Sequence, residues 1–513
     1  MPDKVGSVGV RTVFSCGTSF HKAIAMNNRR SPLQVLLIAL LLSTGCGSIL
    51  PAPNQPKTRF TLASLKGNYT YNLGGTVVGL ANGYLLYYEA GTLVADGNGG
   101  LTGFDDFMSG TNLISGPSTG SYTINGDGTG TMILHAPGRQ IHLAITMQSN
   151  GEVNLLEDDS FAVGVGAALA QAAPGTLSGP YVFRFYSQVV AGASSVAVGQ
   201  MIVSGTSITG DEDVAQIGTA SSHTITGTLT QPDNDGRGTL SLTDDTGNTS
   251  SYVYYTIDSS TLNFVRTDSG LVGEGRSAAQ TGTPFTNASI PNGFTFHLGG
   301  DTATYIGGFN TIGAFTSDGK GNITSGSLDS VVDGAATTNE SFTGTYSVDS
   351  SGRASITLSP AGASPISAVA WMADSTRGFF LQQTQKAVAA GPLTQQQGDP
   401  FSAASLNGEY SFRLLGFNGQ NPTAVGAVGV MTFDGSAKVS LSDFVVSQNG
   451  ELSQDAPVGG SYTVSSNGRA VTGPITGVSN SMVFYFTSAT SGYILFTDPG
   501  TEISGVNTMQ VPQ

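Results

Sequence analysis

From residue 60 onward, apolar and polar residues alternate with a period of two, and Gly, Asn, Asp or Ser interrupt the alternation at short intervals. The stretch FTGTYSV (342–348) is followed by the turn signal SSGR (350–353) and then by SITL (355–358), which reads as a strand, a tight turn and a returning partner. SNGR (466–469) corresponds to it further along, with Asn467-Gly468 matching the dipeptide preferred in type I′ hairpins. Other hairpins turn at Asp96-Gly97, Asp318-Gly319 and Asp434-Gly435, with Gly205 in the same role. Tyr122, Tyr346 and Tyr462 hold one strand position, and Leu229 holds it in a fourth case. That exchange predicts an inward core site where bulk matters and the phenolic hydroxyl does not. No segment carries a helical period, so the pattern predicts an all-β protein.

The pattern also repeats on a larger scale. FTLASLKGNYTY (from Phe60), FTNASIPNGFTF (from Phe285) and FSAASLNGEYSF (from Phe401) are variants of one segment. An opening aromatic returns as Tyr69, Tyr181, Phe294 and Tyr410, and a closing Gly with a Gln five residues later returns as Gly166/Gln171, Gly275/Gln280, Gly391/Gln396 and Gly505/Gln510. Four copies result: 60–171, 172–280, 285–396 and 401–513. A period of this length exceeds that of stacked solenoid repeats, so each copy is expected to be a self-sufficient domain. The short polar segments 281–284 and 398–400 then act as linkers between beads in a row.

About eight strands can be counted in each copy, joined by short turns, and they close most simply into an up-and-down barrel with no exposed sheet edge. In strand count and domain length each copy resembles the avidin and lipocalin barrels. The alternative is an immunoglobulin-like sandwich, whose Cys/Trp/Cys core is lacking: the chain has one Trp, Trp371, in one copy, and its two cysteines, Cys16 and Cys46, precede the repeats.

The N-terminus differs from everything after it. Arg29-Arg30 precede an apolar run over 33–42, which is too short to span a bilayer and has the layout of a secretory signal peptide. The run ends in LLSTGC (41–46), which resembles the bacterial lipoprotein lipobox. The resemblance implies cleavage between Gly45 and Cys46 and a diacylated Cys46 as the first mature residue, holding the protein to a membrane of the cell envelope, with the outer membrane or cell surface as the expected address. Residues 1–45 are then a signal peptide whose true start is expected at Met26, and 46–59, with Pro51, Pro53 and Pro56, form a semi-rigid tether reaching about 30 Å at ~3.1 Å per residue.

Removing the five basic and one acidic residue of 1–45 from the chain's 20 and 35 leaves 15 basic against 34 acidic residues. Phosphate backbones are repelled by such a surface, so nucleic acid is excluded as a partner.

Candidate chemistry is sparse. GPSTG (116–120) fits G-x-S-x-G, with Asp127 and His135 following in hydrolase order, but a Pro precedes Ser118 and a strand follows it where a strand-to-helix elbow is needed. GEGRSA (273–278) closes a repeat and opens no helix, so it reads as a strand of small residues and implies no dinucleotide cofactor. His135 and His142 can face each other across a turn, yet with His223 and His297 they lack the companions of a zinc site. GDG (126–128), DND (233–235) and the recurring Asp105, Asp213, Asp329 and Asp443 offer oxygens to calcium, although turn conformation alone explains the first two. Arg237, Arg353 and Arg469, each after a Gly, are expected to offset local acidity or to bind an anion. No catalytic set, cofactor or metal is predicted. The expected function is non-enzymatic: an envelope-anchored lipoprotein presenting four β domains for display, adhesion or binding of a surface or small-molecule ligand. The alternative is a carrier of small apolar molecules within the barrels.

Overall fold

The computed structural model describes residues 60–510 apart from 79–84, 149–150, 158, 190–192, 305–306, 385–386, 399, 419–422, 455–456 and 474–480. Gly45, Cys46, the signal segment and the tether lie outside the described residues. The chain forms four closed, antiparallel, eight-stranded up-and-down barrels, so the sandwich alternative is set aside. Barrel 1 runs from Lys66–Val77 to Ala162–Ala170, barrel 2 from Gly179–Val189 to Leu271–Ala279, barrel 3 from Pro291–Thr302 to Ala387–Gln395, and barrel 4 from Asn407–Asn418 to Thr501–Met509. In each, the eighth strand pairs with the first. In barrel 4 the third strand, Lys438–Gln448, also carries a short extra hairpin strand, Glu451–Gln454.

Every barrel has its own interior. In barrel 2, Phe185 packs on Tyr252 at 4.4 Å and on Phe264 at 5.1 Å; in barrel 4, Phe433 lies within 6 Å of Tyr410, Tyr462, Phe484 and Phe486. Such ring pairs add to the area they bury, and they fill the lumen with side chains. Asp96, Asp318 and Asp434 hold their turns with a carboxylate oxygen that accepts two backbone N–H groups. At SNGR only Gly468 has positive φ, at 80°, whereas a type I′ turn needs it at both central residues. Asn467-Gly468 is therefore not the expected type I′ pair.

The barrels are not beads in a row. Each touches the next, and the fourth touches the first, so the four close into a ring. The closing Gln of each copy reaches into the following barrel. Gln171 donates to the carbonyls of Asp235 and Thr256, Gln280 to those of Ser351 and Met372, Gln396 to those of Asn467 and Phe486, and Gln510 to that of Met147 in barrel 1. The linker backbone follows the side chain, with Ala172, Thr281 and Gln397 donating to Ile257, Ala373 and Thr487. Apolar clusters complete the junctions: Ala90, Met108, Val253 and Val265 between barrels 1 and 2, Ile312 and Val331 with Val483 and Leu495 between 3 and 4, and Ala144 and Leu156 with Val428 between 1 and 4.

Strands two and three of one barrel face strands six to eight of the next. Strands one and eight therefore turn toward the ring axis, while the fourth strands turn outward, as the exposed alternate positions of Asn112–Ile124 and Ala335–Val348 indicate.

Candidate functional site

The recurring arginines neither offset diffuse acidity nor stand open to an anion. Each crosses a junction and grips an aspartate of the preceding barrel with two nitrogens. Arg237 holds Asp106 at 2.7 and 3.1 Å, Arg353 holds Asp213 at 2.8 and 2.6 Å, and Arg469 holds Asp329 at 2.7 and 2.7 Å. An aromatic donor from strand six joins each pair: Tyr255 on Asp106, the Trp371 indole on Asp213 at 2.9 Å, and Tyr485 on Asp329 at 2.9 Å. All three carboxylates are fully buried. Charge-assisted, bidentate bonds satisfy them there, and the hydrogen bond to its Asp holds each of Arg237 and Arg353 above the usual guanidinium range.

The register corrects the aspartate series. Ala90 pairs with Asp106, Val198 with Asp213, Ile312 with Asp329 and Val428 with Val445. The repeating position is thus Asp106, Asp213, Asp329 and Val445. Asp105 points the other way, into barrel 1, and Asp443 sits at a bulge with φ of 51°. Of the four expected calcium aspartates, Asp213 and Asp329 are taken up by arginine, Asp105 faces the other way because neighbouring strand residues face opposite sides, and Asp443 is displaced by the bulge.

Asp105 belongs to a polar set in barrel 1; at its position the register puts another acid, Glu212, in barrel 2. Within the lumen, the Tyr71 hydroxyl lies 2.9 Å from Glu89 Oε1 and 2.7 Å from Asp105 Oδ1. Arg139 lies 2.7 Å from Glu89 Oε2 and 3.0 Å from Asp105 Oδ2, with its guanidinium 3.6 Å above the Phe107 ring. Tyr87 donates to Glu157. All three carboxyl groups are buried. Room for the tyrosines comes from glycine: a Cβ at Gly91 would lie 2.6 Å from the Tyr71 ring, and one at Gly164 would lie 1.9 Å from the Tyr87 oxygen. In barrel 3 the register puts Phe296, Thr311 and Leu328 where barrel 1 has Tyr71, Glu89 and Asp105; in barrel 4 it puts Phe412, Ala427 and Phe444.

Burial and then the Glu89 charge push the Asp105 carboxyl well above its ordinary range. Arg139 bridges the two carboxyl groups. A raised pKa in the folded state means that this group's contribution to stability is full in acid and is lost as pH rises through the folded value. The site is a hydrogen-bonded polar network packed from its own side chains. Comparing the copies strand by strand could have found Glu89, because an acid stands at an inward position held elsewhere by Ala or Thr.

The remaining candidates separate. Asp127 accepts from the Thr129 backbone and hydroxyl in the turn, whereas His135 lies six residues along the strand, about 20 Å at ~3.3 Å per residue. Ser118, Asp127 and His135 are not brought together. His142 pairs with Ile133 and His135 with Gln140, so the two imidazoles are offset and do not face one another. His223 bonds Asp245 at 2.8 Å, and His297 bonds Ser504 at 2.9 Å. GEGRSA lies in the closing strand of barrel 2, Leu271–Ala279. Asp233 caps its own turn through the N–H groups of Asp235 and Arg237. Among the described residues no group of three or more His, Cys, Asp or Glu is placed to hold a metal ion. Across the junction of barrels 2 and 3 runs an outer groove of about 440 Å³, lined by Asp211, Glu212, His223, Asp245 and Trp371 among others. There burial and Asp244 push Glu212 up to about 7.

No protein-family model matches the chain, and no curated protein matches it.

Proposed function

We propose that the protein is a lipoprotein of the bacterial envelope, lipidated on Cys46, whose four-barrel ring is a non-enzymatic display and binding head. One observation carries this reading: the lumens are filled by their own apolar and aromatic side chains, with a hydrogen-bonded polar set added in barrel 1, so what the molecule offers its surroundings is its outer surface. That packing speaks against the carrier alternative, which needs an empty apolar lumen. Apolar inside and polar outside is also the reverse of a membrane-spanning barrel, so the attachment falls to the N-terminus. Four copies in one cyclic unit present equivalent outward strands at fixed spacing, which suits multivalent contact.

Fractionation of cells labelled with palmitate tests the anchor. The intact chain is expected in the membrane fraction with label, and Cys46→Ala in the soluble fraction without it. A Cys46→Ala protein that stays with membranes overturns the lipid anchor. Biotinylation of intact cells with an impermeant reagent tests display, and a protein labelled only after lysis overturns it.

A further inference from the structure

The ring axis receives one outward side chain from the equivalent place in each first strand. Three residues after Tyr69, Tyr181, Phe294 and Tyr410 stand Asn72, Arg184, His297 and Arg413. Arg276 adds to them from strand eight of barrel 2, directly opposite Arg184 in the register. Like charges so placed repel. Two of the arginines have local partners: Arg184 meets Glu274 at 2.5 Å, and Arg413 donates to the Asn154 side-chain oxygen at 2.7 Å, a neutral acceptor from barrel 1. Arg276 is different. Among the described residues no hydrogen bond or ion pair holds its guanidinium, although Glu152 and Glu274 are near enough to act on its charge.

We propose that the axis of the ring is a binding site for a small multivalent oxyanion, gripped by Arg276 and Arg413 with Arg184 beside them. Arg276 keeps contact with water, so an ion can reach it. The planar donors of arginine match tetrahedral and carboxylate oxyanions. All four barrels contribute cationic or neutral polar groups to this axis, with Glu152 and Glu274 as the acids nearest Arg276, in a chain whose formal net charge is −15. Arg184, Arg276 and Arg413 thus outnumber Glu152 and Glu274 there, which leaves a local excess of positive charge inside an acidic molecule. Neighbouring groups register that field. Burial lowers Arg413 to about 10, with Arg276 adding to the effect, and burial with Arg184 lowers His297 to about 4. An anion between the arginines relieves what these groups feel.

The test uses the purified full chain, titrated calorimetrically with sulfate, inorganic phosphate and citrate at ionic strength held constant with chloride. Saturable binding of at least one is expected, with a higher thermal midpoint, and citrate against phosphate separates a carboxylate from a phosphate source. Arg276→Gln is expected to weaken that binding at least tenfold while its anion-free midpoint equals or exceeds the parent's, because one repelling charge is gone. On the unmodified protein, the His297 imidazole followed by NMR is expected to titrate at higher pH once the anion is bound. No saturable binding of any of the three, unchanged affinity in Arg276→Gln, or a bound anion that leaves His297 unmoved each overturns the proposal.

Discussion

Three of the four junctions use a buried Asp, a bidentate Arg and an aromatic donor, whereas the junction that closes the ring uses none of them. Where the others have Arg237, Arg353 and Arg469, barrel 1 has Thr129; where they have Tyr255, Trp371 and Tyr485, it has Thr146; and where their predecessors have Asp106, Asp213 and Asp329, barrel 4 has Val445. The closing contact is made by Thr146 and Asn154 on Ser411 at 2.8 and 2.5 Å, by Arg413 on Asn154, and by Val428 against Ala144 and Leu156. The three departures lie on two different barrels, yet they occur together. A buried Asp without its Arg, or a buried Arg without its Asp, is strongly destabilising, whereas replacing the whole pair by apolar and small polar groups is close to neutral. The Gln clasp needs no partner side chain, only a carbonyl, and it is the one device kept at all four junctions.

The largest effect is expected from breaking one charged junction halfway. Arg353→Ala leaves Asp213 buried with only Ser222 and Trp371 as partners, and a loss of about 3 kcal/mol follows, at the low end for an uncompensated buried charge because those two bonds remain. Trp371 is the chain's only tryptophan and donates to this carboxylate, so its fluorescence during denaturation reads the junction directly. An unchanged midpoint would show the pair to be inert. Next in size is the repair. Asp213→Val with Arg353→Thr copies the closing junction's composition, and the double variant is expected to recover about 2 kcal/mol of that loss; independent additive losses would mean that the closing junction owes nothing to paired loss.

Smaller again are the clasps. Gln280→Ala removes two bonds to backbone carbonyls and is expected to cost about 2 kcal/mol, whereas Gln510→Ala removes the one to Met147 and is expected to cost about 1 kcal/mol. Amide exchange at the strands holding Met372 and Met147 would locate each loss, and a larger effect for Gln510→Ala would make the closing junction the stronger of the two.

Much of this architecture was legible in the sequence. The period-two alternation, the turn residues and the fourfold landmarks specify eight-stranded barrels, because strand pairing and hairpin turns are local and each copy repeats the signal. The ring was not legible, although its parts were in view: Gln171, Gln280, Gln396 and Gln510 served as landmarks, and the arginines as local counter-charges, because a contact between copies leaves no periodicity along the chain. Asp105 reads as a member of the repeating series because loops of unequal length shift the spacing by one residue, and one residue reverses the facing of a strand side chain. The polar lumen of barrel 1 was missed for the same reason.

The smallest expected effect concerns a second case of paired departure. Tyr122, Tyr346 and Tyr462 are core residues as expected, but their hydroxyls are not idle. Each approaches two carbonyls of a short 3₁₀ turn leading into its barrel: Leu62 and Leu65, Asn287 and Ile290, Ala403 and Leu406, at 2.6 to 3.3 Å. The turns occupy Leu62–Ser64, Asn287–Ser289 and Ala403–Ser405, and barrel 2, which has Leu229 at the tyrosine position, has no such turn among its described residues. Hydroxyl and turn are thus present or absent together, as Arg and Asp are at the junctions. Tyr346→Phe keeps the ring in the core and removes the hydroxyl from the Asn287 and Ile290 carbonyls, which retain the Ile290 N–H and the Ser317 hydroxyl as donors, and the loss is expected to cost about 1 kcal/mol. Leu229→Tyr is expected to bring no gain, since it introduces a buried hydroxyl with no 3₁₀ carbonyls to receive it. Denaturant melts of the two variants measure both numbers. A Tyr346→Phe protein as stable as the parent would reduce the position to bulk alone, and a stabilised Leu229→Tyr protein would show that barrel 2 supplies an acceptor without the turn.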